Sequence, residues 1–299
     1  MRKSTTIMII TLITVFGAAP GPARLASVGD GSRAEMADQV LDRARAALGG
    51  EAKLKAIRSL SAYGKLRRVM KNVDQSGKVK LEMLLPDKFR MTTTLSVAQG
   101  VDITMVAALD GDQASKSSMP NSPGAIIVTA KDRGKEDKAA NLKEVRATFG
   151  RYMLAWLLTA PPSNPVEFNY TGEAEAGDDH ADVLDVKGSD GLEARLFFDK
   201  KTHRLLMMSY WVERAGAPAD DLGAKASVRD VDKALREAQA QTRKEKTEIQ
   251  VYFSDYRLAD GIYFPHHLLR TINAQPIEEW ELEGFKVNAH LDAEKFLKK

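Results

Sequence analysis

The sequence predicts an α+β fold in which a large, curved antiparallel sheet of about ten strands is covered by helices. The first observation is the segment Thr247 to Val287, where three alternating runs of apolar and polar residues are separated by short turn sequences. The second is that similar runs recur over most of the chain. The third is a pair of segments with apolar residues at helical spacing, which supply the layer that the apolar face of a sheet requires.

The C-terminal meander is the clearest part of the pattern. Ile249, Val251 and Phe253 alternate with polar neighbours and mark its first strand. Asp260-Gly261 indicates a tight reversal, because these residues tolerate the positive φ that such turns need. A second turn, 273–276, separates the two remaining strands, 262–272 and 277–287.

Alternation elsewhere in the chain predicts the other strands. Aspartate, glycine and proline residues separate the runs, as expected for short antiparallel connections. The predicted strands are 59–70 (which contains Gly64), 77–85, 88–95, 101–109, 166–171, 181–187, 192–199 and 204–212, with a weaker strand after the turn at Asp110-Gly111.

Three helices accompany the strands. The first is predicted over 34–48, where Gly49-Gly50 stops it, and a short helical turn follows over 51–57. The second is predicted over 137–159 and has a strong apolar stripe that ends before two prolines. A short helix over 291–299 closes the chain, with Asp292 or Asn288 as its cap.

The N-terminus has the composition of an export signal. Residues 1–23 combine a cationic start, an apolar run and a small-residue region, which is typical of a cleaved secretory signal peptide. Residues 24–33 are predicted to be a linker and 34–299 a single domain. Within that domain, 215–246 is a charged insertion between two strands and contains a predicted helix over 228–245.

Composition narrows the class of protein. The chain has no cysteine, which excludes disulfides, cysteine-ligated metals and lipidation through cysteine, so the mature protein is expected to be soluble in the periplasm. Its formal net charge is +3, and the charged residues are interspersed without a basic block. This charge distribution argues against nucleic-acid binding. The protein is expected to be a monomer.

Enzymatic and metal chemistry find no support in the sequence, so no activity, metal or cofactor is predicted. His266 and His267 are neighbours on a strand and point to opposite faces, one towards the core and one towards the surface. Asp178, Asp179, His180 and Asp182 are interpreted as a solvated turn, since their spacing is not that of a calcium loop. The acidic pairs Glu278-Glu279 and Glu281-Glu283 are interpreted as an exposed strand face.

Four short motifs carry a resemblance to a known family. They are Ala47-Leu48-Gly49-Gly50 at a helix end, the strand with Gly64, the segment 86–90 (Pro-Asp-Lys-Phe-Arg) and the segment 260–265 (Asp-Gly-Ile-Tyr-Phe-Pro). Together they resemble the LolA/LolB-like lipoprotein-carrier superfamily, annotated in many bacteria as outer-membrane lipoprotein-sorting proteins. The resemblance implies an open, incomplete antiparallel β-barrel whose concave face is covered by helices. It also implies an apolar concavity that holds acyl chains.

The predicted function is a periplasmic, non-enzymatic carrier that binds acyl chains of lipids or lipoproteins in this concavity. Lipoprotein machinery of the inner or outer membrane is a possible partner class. The chain has 11 methionines, and several lie at inferred inward positions, where a flexible side chain suits an adaptable cavity. The residues predicted to line the cavity are Leu81, Met83, Met105, Phe149, Met153, Trp156, Met207 (or its neighbour Met208) and Trp211.

A carrier must also release its ligand. Burial of an acyl chain gains about 0.8 kcal/mol per methylene, so a permanently open site would hold the chain too tightly. The helix bearing Phe149, Met153 and Trp156 is therefore the candidate lid. The alternative is an envelope protein-interaction module whose concavity is filled by its own side chains.

Overall fold

A computed structural model describes residues 30–70, 73–98, 101–121, 134–176, 179–215 and 244–296. The predicted signal segment 1–23 lies outside these residues, as does most of the predicted insertion. Among the described residues, no helix is both long enough and apolar enough to cross a membrane. The predicted helix 228–245 also falls mostly outside, although its last two residues belong to a strand that begins at Lys244.

The described residues contain three α-helices, 12 strands and one 3-10 turn. The helices are α1 (Asp30–Leu48), α2 (Glu51–Lys55) and α3 (Gly134–Leu157), and the 3-10 turn is Ala293–Lys295. The strands are β1 (Ser59–Met70), β2 (Val73–Leu84), β3 (Lys88–Ala98), β4 (Val101–Asp110), β5 (Gln113–Pro120), β6 (Val166–Ala176), β7 (Asp179–Gly188), β8 (Glu193–Asp199), β9 (Leu205–Ala215), β10 (Lys244–Ala259), β11 (Ile262–Ile272) and β12 (Gln275–Val287).

All 12 strands form one sheet, in the order β5-β4-β3-β2-β1-β12-β11-β10-β9-β8-β7-β6. The pairs between neighbouring strands are antiparallel, and β5 and β6 are the two free edges, so the sheet is open. Two meanders, β1–β5 and β6–β12, meet only where β1 pairs with β12. The predicted fold class, a large open antiparallel sheet with helices, is confirmed.

The predicted hairpin turns are also confirmed. Asp260 and Gly261 have φ values of 50° and 80° between β10 and β11, which is the conformation of a type I′ turn. Asn273 and Ala274, with φ values of 49° and 60°, form the equivalent turn between β11 and β12. The backbone twist of a type I′ turn matches the twist of the two strands it connects. These turn residues therefore favour the antiparallel meander.

Helix α3 connects the two edges of the sheet, because it lies in the chain between β5 and β6. Its 24 residues span about 36 Å, enough to cross several strands. The C-terminal half is embedded in the core, where Trp156 is fully buried and Phe149 is 1% exposed. Rings in this region pack in a continuous series: Phe89, Phe149, Tyr152, Trp156, Trp280, Phe285 and Phe264.

Some boundaries differ from the predictions. Helix α1 begins at Asp30, so residues 30–33 of the predicted linker are helical. The sheet has 12 strands rather than about ten, because the weaker predicted strand is a full member (β5) and every run forms a strand. The C-terminal helix shortens to the 3-10 turn, and Asp292 caps it as predicted, accepting a hydrogen bond from the Glu294 amide at 3.0 Å.

The prediction that Asp178, Asp179, His180 and Asp182 form a solvated turn is wrong for Asp182. This residue lies on β7 and is 6% exposed, and its carboxylate accepts hydrogen bonds from Arg43 and Tyr170, both at 3.4 Å. Asp182 therefore belongs to a structural contact between α1 and the sheet. Asp178 lies outside the described residues.

We expect Gly64→Ala to lower the free energy of unfolding by about 1–3 kcal/mol, because it overpacks a strand interface. A Cβ at Gly64 would lie 2.2 Å from the carbonyl oxygen of Glu281, at the bulge where β1 meets β12. Urea unfolding of the two proteins measures the change. Gly31→Ala is the matched control, since nothing lies within 4 Å of a Cβ there, and an equal loss in both variants would contradict this account.

Candidate functional site

A cavity of about 830 Å³ lies between α3 and the concave face of the sheet. Helix α3 forms one wall, with residues at three- and four-residue spacing from Ala140 to Tyr152. Strands β9 to β12 form most of the opposite wall, and Met91 on β3 and Glu193 on β8 also border the cavity. The residues of β9 to β12 that line it are Met208, Tyr210, Trp211, Val212, Glu213, Lys246, Ile249, Val251, Phe253, Leu268, Arg270, Ile277, Glu278 and Trp280.

Most of the sheet wall is apolar because of strand alternation. Ile249, Val251 and Phe253 are two residues apart on β10, so all three face the cavity, and each is less than 7% exposed. Val251 pairs with Met208 on one side and with Arg270 on the other. Each neighbouring strand therefore adds a side chain at the same level of the wall.

Three charged residues form a row beside this apolar wall. Glu278 on β12 pairs in register with Arg68 on β1 and with Arg270 on β11. Its carboxylate lies 2.5 Å from Nη2 of Arg68 and 3.2 Å from Nη1 of Arg270, and it accepts a 2.9 Å hydrogen bond from Nε1 of Trp280. The Glu278 side chain is only 5% exposed. The row is thus an ion triad around a buried carboxylate, with two partly exposed arginines, and it crosses the junction of the two meanders.

The triad keeps Glu278 ionised. Burial alone would raise the pKa of its carboxyl, but the attraction of Arg270 and Arg68, with hydrogen bonds from Arg68 and Trp280, outweighs it. The pKa of Glu278 therefore lies below its ordinary value of 4.5. One negative charge is consequently fixed at the cavity wall at neutral pH.

A further guanidinium, that of Arg151, faces the cavity from α3. It lies over the ring of Tyr210 at 4.0 Å from the ring centre, a cation–π contact. Burial lowers the pKa of Arg151, and Arg270 lowers it further through like-charge repulsion. Among the described residues, no carboxylate lies within 4.0 Å of Arg151.

Both cavity arginines also have an unused donor. The Nε atoms of Arg151 and Arg270 are buried and have no hydrogen-bond acceptor among the described residues. Unpaired buried donors are rare in folded proteins and costly. The cavity therefore combines an apolar wall with two guanidinium groups, of which Arg270 contacts the Glu278 carboxylate and Arg151 contacts no carboxylate of the described residues.

The structure separates the predicted cavity residues into two sets. Leu81, Met83, Phe149, Met153 and Trp156 lie in the packed core at 0–3% exposure, and Met105 is partly buried against that core. Trp211 borders the cavity and is 46% exposed, and Met208, the alternative to Met207, lines it. Met207 is buried but lies on the opposite strand face from Met208. Ligand contact by these residues remains a prediction, and the core set would require movement of α3.

The charged part of the site was not predicted. The prediction that Glu278 lies on an exposed face is wrong. Glu278 is two residues from Trp280 and four from Leu282, so its side chain points inwards with theirs. Alternation along the strand is enough to indicate this position. Arg270 likewise shares its parity with Leu268, whereas nothing in the sequence marks Arg151.

The interpretation of the histidine pair is confirmed. His266 is 7% exposed, and its Nδ1 donates to the carbonyl oxygen of Leu282 at 2.7 Å. His267 faces outwards and bonds to Ser254 and Glu279 at 2.9 and 2.8 Å. In the described part of the chain, no group of three or more His, Cys, Asp or Glu residues is arranged to hold a metal ion.

A second groove, of about 550 Å³, lies between β1–β3 and the C-terminal turn. Several of its charged side chains are paired with one another or with the backbone. Lys80 contacts Glu82 at 2.6 Å, and Arg90 donates to the carbonyl oxygen of Lys295 at 2.7 Å. The cavity under α3 is therefore the stronger candidate for a binding site.

The fold and cavity define a class of protein in which a helix crosses the concave face of an open antiparallel sheet. Solved structures that are similar to this chain include a LolA superfamily protein from Nitrosomonas europaea. Its sequence is 10% identical, the TM-score is 0.48, and the match covers 88% of this chain and 97% of that protein. A putative outer membrane lipoprotein-sorting protein domain from Vibrio parahaemolyticus is 10% identical, with a TM-score of 0.43, and the match covers 88% of this chain and 97% of that domain. A DUF1329 family protein from Desulfovibrio piger is 10% identical, with a TM-score of 0.41, and the match covers 87% of this chain and 96% of that protein.

The names of the first two similar structures belong to the superfamily that the four sequence motifs resemble. No family model and no curated protein matches the chain.

Proposed function

We propose that this chain is a periplasmic, non-enzymatic carrier that binds acyl chains of lipids or lipoproteins in the cavity under α3. The observation that carries the proposal is the apolar sheet wall of this cavity, formed by inward residues of β9, β10 and β11 such as Met208, Val251 and Leu268. The export signal predicted for residues 1–23 and the lack of cysteine support the periplasmic location.

The size of the cavity suits this ligand class. Small-molecule sites commonly have volumes of roughly 300–1,000 Å³, and this cavity has about 830 Å³. A C16 chain that entered it fully would gain on the order of 12 kcal/mol before the costs of binding. Hydrophobic burial alone would therefore be sufficient to hold the ligand.

The test is a variant that blocks the mouth of the cavity without disturbing the core. Ala140 on α3 is exposed and lines the cavity, whereas its neighbour Ala139 is exposed but does not line it. We expect Ala140→Trp to weaken binding of a fluorescent fatty acid about tenfold or more, because the indole occupies the volume of several methylenes. Titration followed by fluorescence measures the affinity.

Ala139→Trp is the matched control and should bind as the original protein does. Native mass spectrometry of the protein purified from its own envelope, followed by organic extraction, then identifies any co-purifying lipid. If the original protein binds no fatty-acid probe and carries no lipid, the carrier proposal is overturned. The alternative, an envelope protein-interaction module with a self-filled cavity, would then be favoured.

A further inference from the structure

We infer that the ligand of the cavity is an amphiphile with an anionic head, a carboxylate or a phosphate, held between the guanidinium groups of Arg151 and Arg270. This inference rests on the proposed function, because it assigns the polar end of the same ligand. Its evidence is separate, since it comes from charge and hydrogen bonding, whereas the proposed function comes from the apolar wall.

The first argument is the charge balance around Glu278. Arg68 and Arg270 contact its buried carboxylate, and Arg151 lines the same cavity with no carboxylate within 4.0 Å among the described residues. With all four groups ionised, these residues have a net charge of +2. The other charged residues that line the cavity are exposed: Lys143, Glu144, Asp190, Glu193, Glu213 and Lys246. Uncompensated charge away from water is costly, and a ligand anion would remove part of that cost.

The second argument concerns which of these charged side chains face the cavity. Arg68 approaches Glu278 through both Nε and Nη2, at 2.7 and 2.5 Å, and does not line the cavity. This leaves Arg270, which contacts Glu278 at 3.2 Å, and Arg151 as the guanidinium groups that line the cavity. Their buried Nε donors, which have no acceptor among the described residues, fit an oxyanion.

The third argument is that the two guanidinium groups line one cavity and that Arg151 is held over an aromatic ring. Arg151 stacks on Tyr210, and both Tyr210 and Tyr152 lie close enough to Arg270 to affect its pKa. Since like charges repel, two neighbouring guanidiniums are expected where a shared anion binds. The carboxylate of Glu144, which also lines the cavity, is 64% exposed and contacts Lys116.

The two ends of the site match the two ends of one molecule. Arg270 lies between Leu268 and the end of β11, and Val251 pairs with it across the β10–β11 ladder. An anionic head at Arg151 and Arg270 would thus place its chain along Val251, Phe253 and Leu268, which form the apolar wall. A neutral hydroxyl head could accept a hydrogen bond from these donors but would leave the positive charge uncompensated.

The experiment compares two ligands with the same C16 chain, palmitate and hexadecanol, by isothermal titration calorimetry. We expect palmitate to bind about tenfold or more tightly, the scale of charge-assisted hydrogen bonds. Arg151→Gln should weaken palmitate binding and so remove this preference, and Arg151→Lys should restore part of it. Arg195→Gln, which removes an arginine paired with Asp185 outside the cavity, is the control and should keep the preference.

The outcomes distinguish the two proposals. Equal affinity for palmitate and hexadecanol, or a preference that survives in folded Arg151→Gln and Arg151→Lys, would overturn the anionic head and leave the acyl carrier standing. Failure of both C16 ligands would overturn the carrier. If inorganic phosphate alone then bound and Arg151→Gln abolished that binding, the cavity would be a site for a free anion rather than an amphiphile.

Discussion

Replacement of Glu278 by glutamine should lower the free energy of unfolding by about 3 kcal/mol, because it leaves two guanidinium groups without their shared counter-charge. The carboxylate is 5% exposed and contacts both Arg68 and Arg270. Loss of one member of a buried ion group costs more than the group contributes as a whole, since the remaining charges stay buried. Urea unfolding of Glu278→Gln and the original protein at pH 7 measures the difference.

Glu281→Gln on the same strand is the control, because Glu281 is exposed on the outer face and should change stability by less than about 0.5 kcal/mol. The effect of Glu278→Gln should also depend on pH. The pKa of Glu278 is below its ordinary value, so its contribution is complete above about pH 4.5 and is lost as the pH falls through the lower folded-state pKa. A difference between the two proteins that grew on acidification would contradict the ion triad.

The second large effect is expected at Trp156, in the C-terminal half of α3. Trp156→Ala should destabilise the protein by about 3–5 kcal/mol, the usual cost of removing a large buried ring. The side chain is fully buried, and its ring centre lies 5.1 Å from those of Tyr152 and Phe285. Chemical denaturation followed by tryptophan-independent circular dichroism measures the loss.

Trp156→Phe is the matched control, and it should cost much less. The indole Nε1 is buried and has no acceptor among the described residues, so phenylalanine removes an unpaired donor along with some volume. A loss below about 1 kcal/mol for Trp156→Ala would show that this half of α3 is loosely held. In that case the whole helix would be a suitable lid. Because this half is packed in the core, we expect a lid motion to involve the more exposed residues 138–144.

Local sequence patterns were sufficient to predict most of the sheet. Alternation located the strands, and the turns at Asp260-Gly261 and Asn273-Ala274 fixed the register of the last three strands. Strand order beyond the meanders was not predictable in this way. Pairing of β1 with β12 depends on contacts between residues more than 200 positions apart, such as Arg68 with Glu278, and no local pattern reports them.

The candidate site was harder to predict for a related reason. Apolar residues such as Met83 and Trp156 were predicted to line the cavity, but the same pattern describes a filled core, and packing decides between them. Arg151, Arg270 and Glu278 come from α3, β11 and β12, and only the fold brings them to the same cavity. Glu278 is the exception, since its parity with Trp280 already indicated burial.

The junction of β1 and β12 has a consequence for how the chain reaches its native state. Each meander can form from neighbouring segments, but the two halves join only when the last strand docks on the first. Closing so long a loop is entropically slow, and pairings of high sequence separation generally delay folding. Until then β1 is an open edge that can pair with another molecule, so the final strand protects the first against intermolecular association.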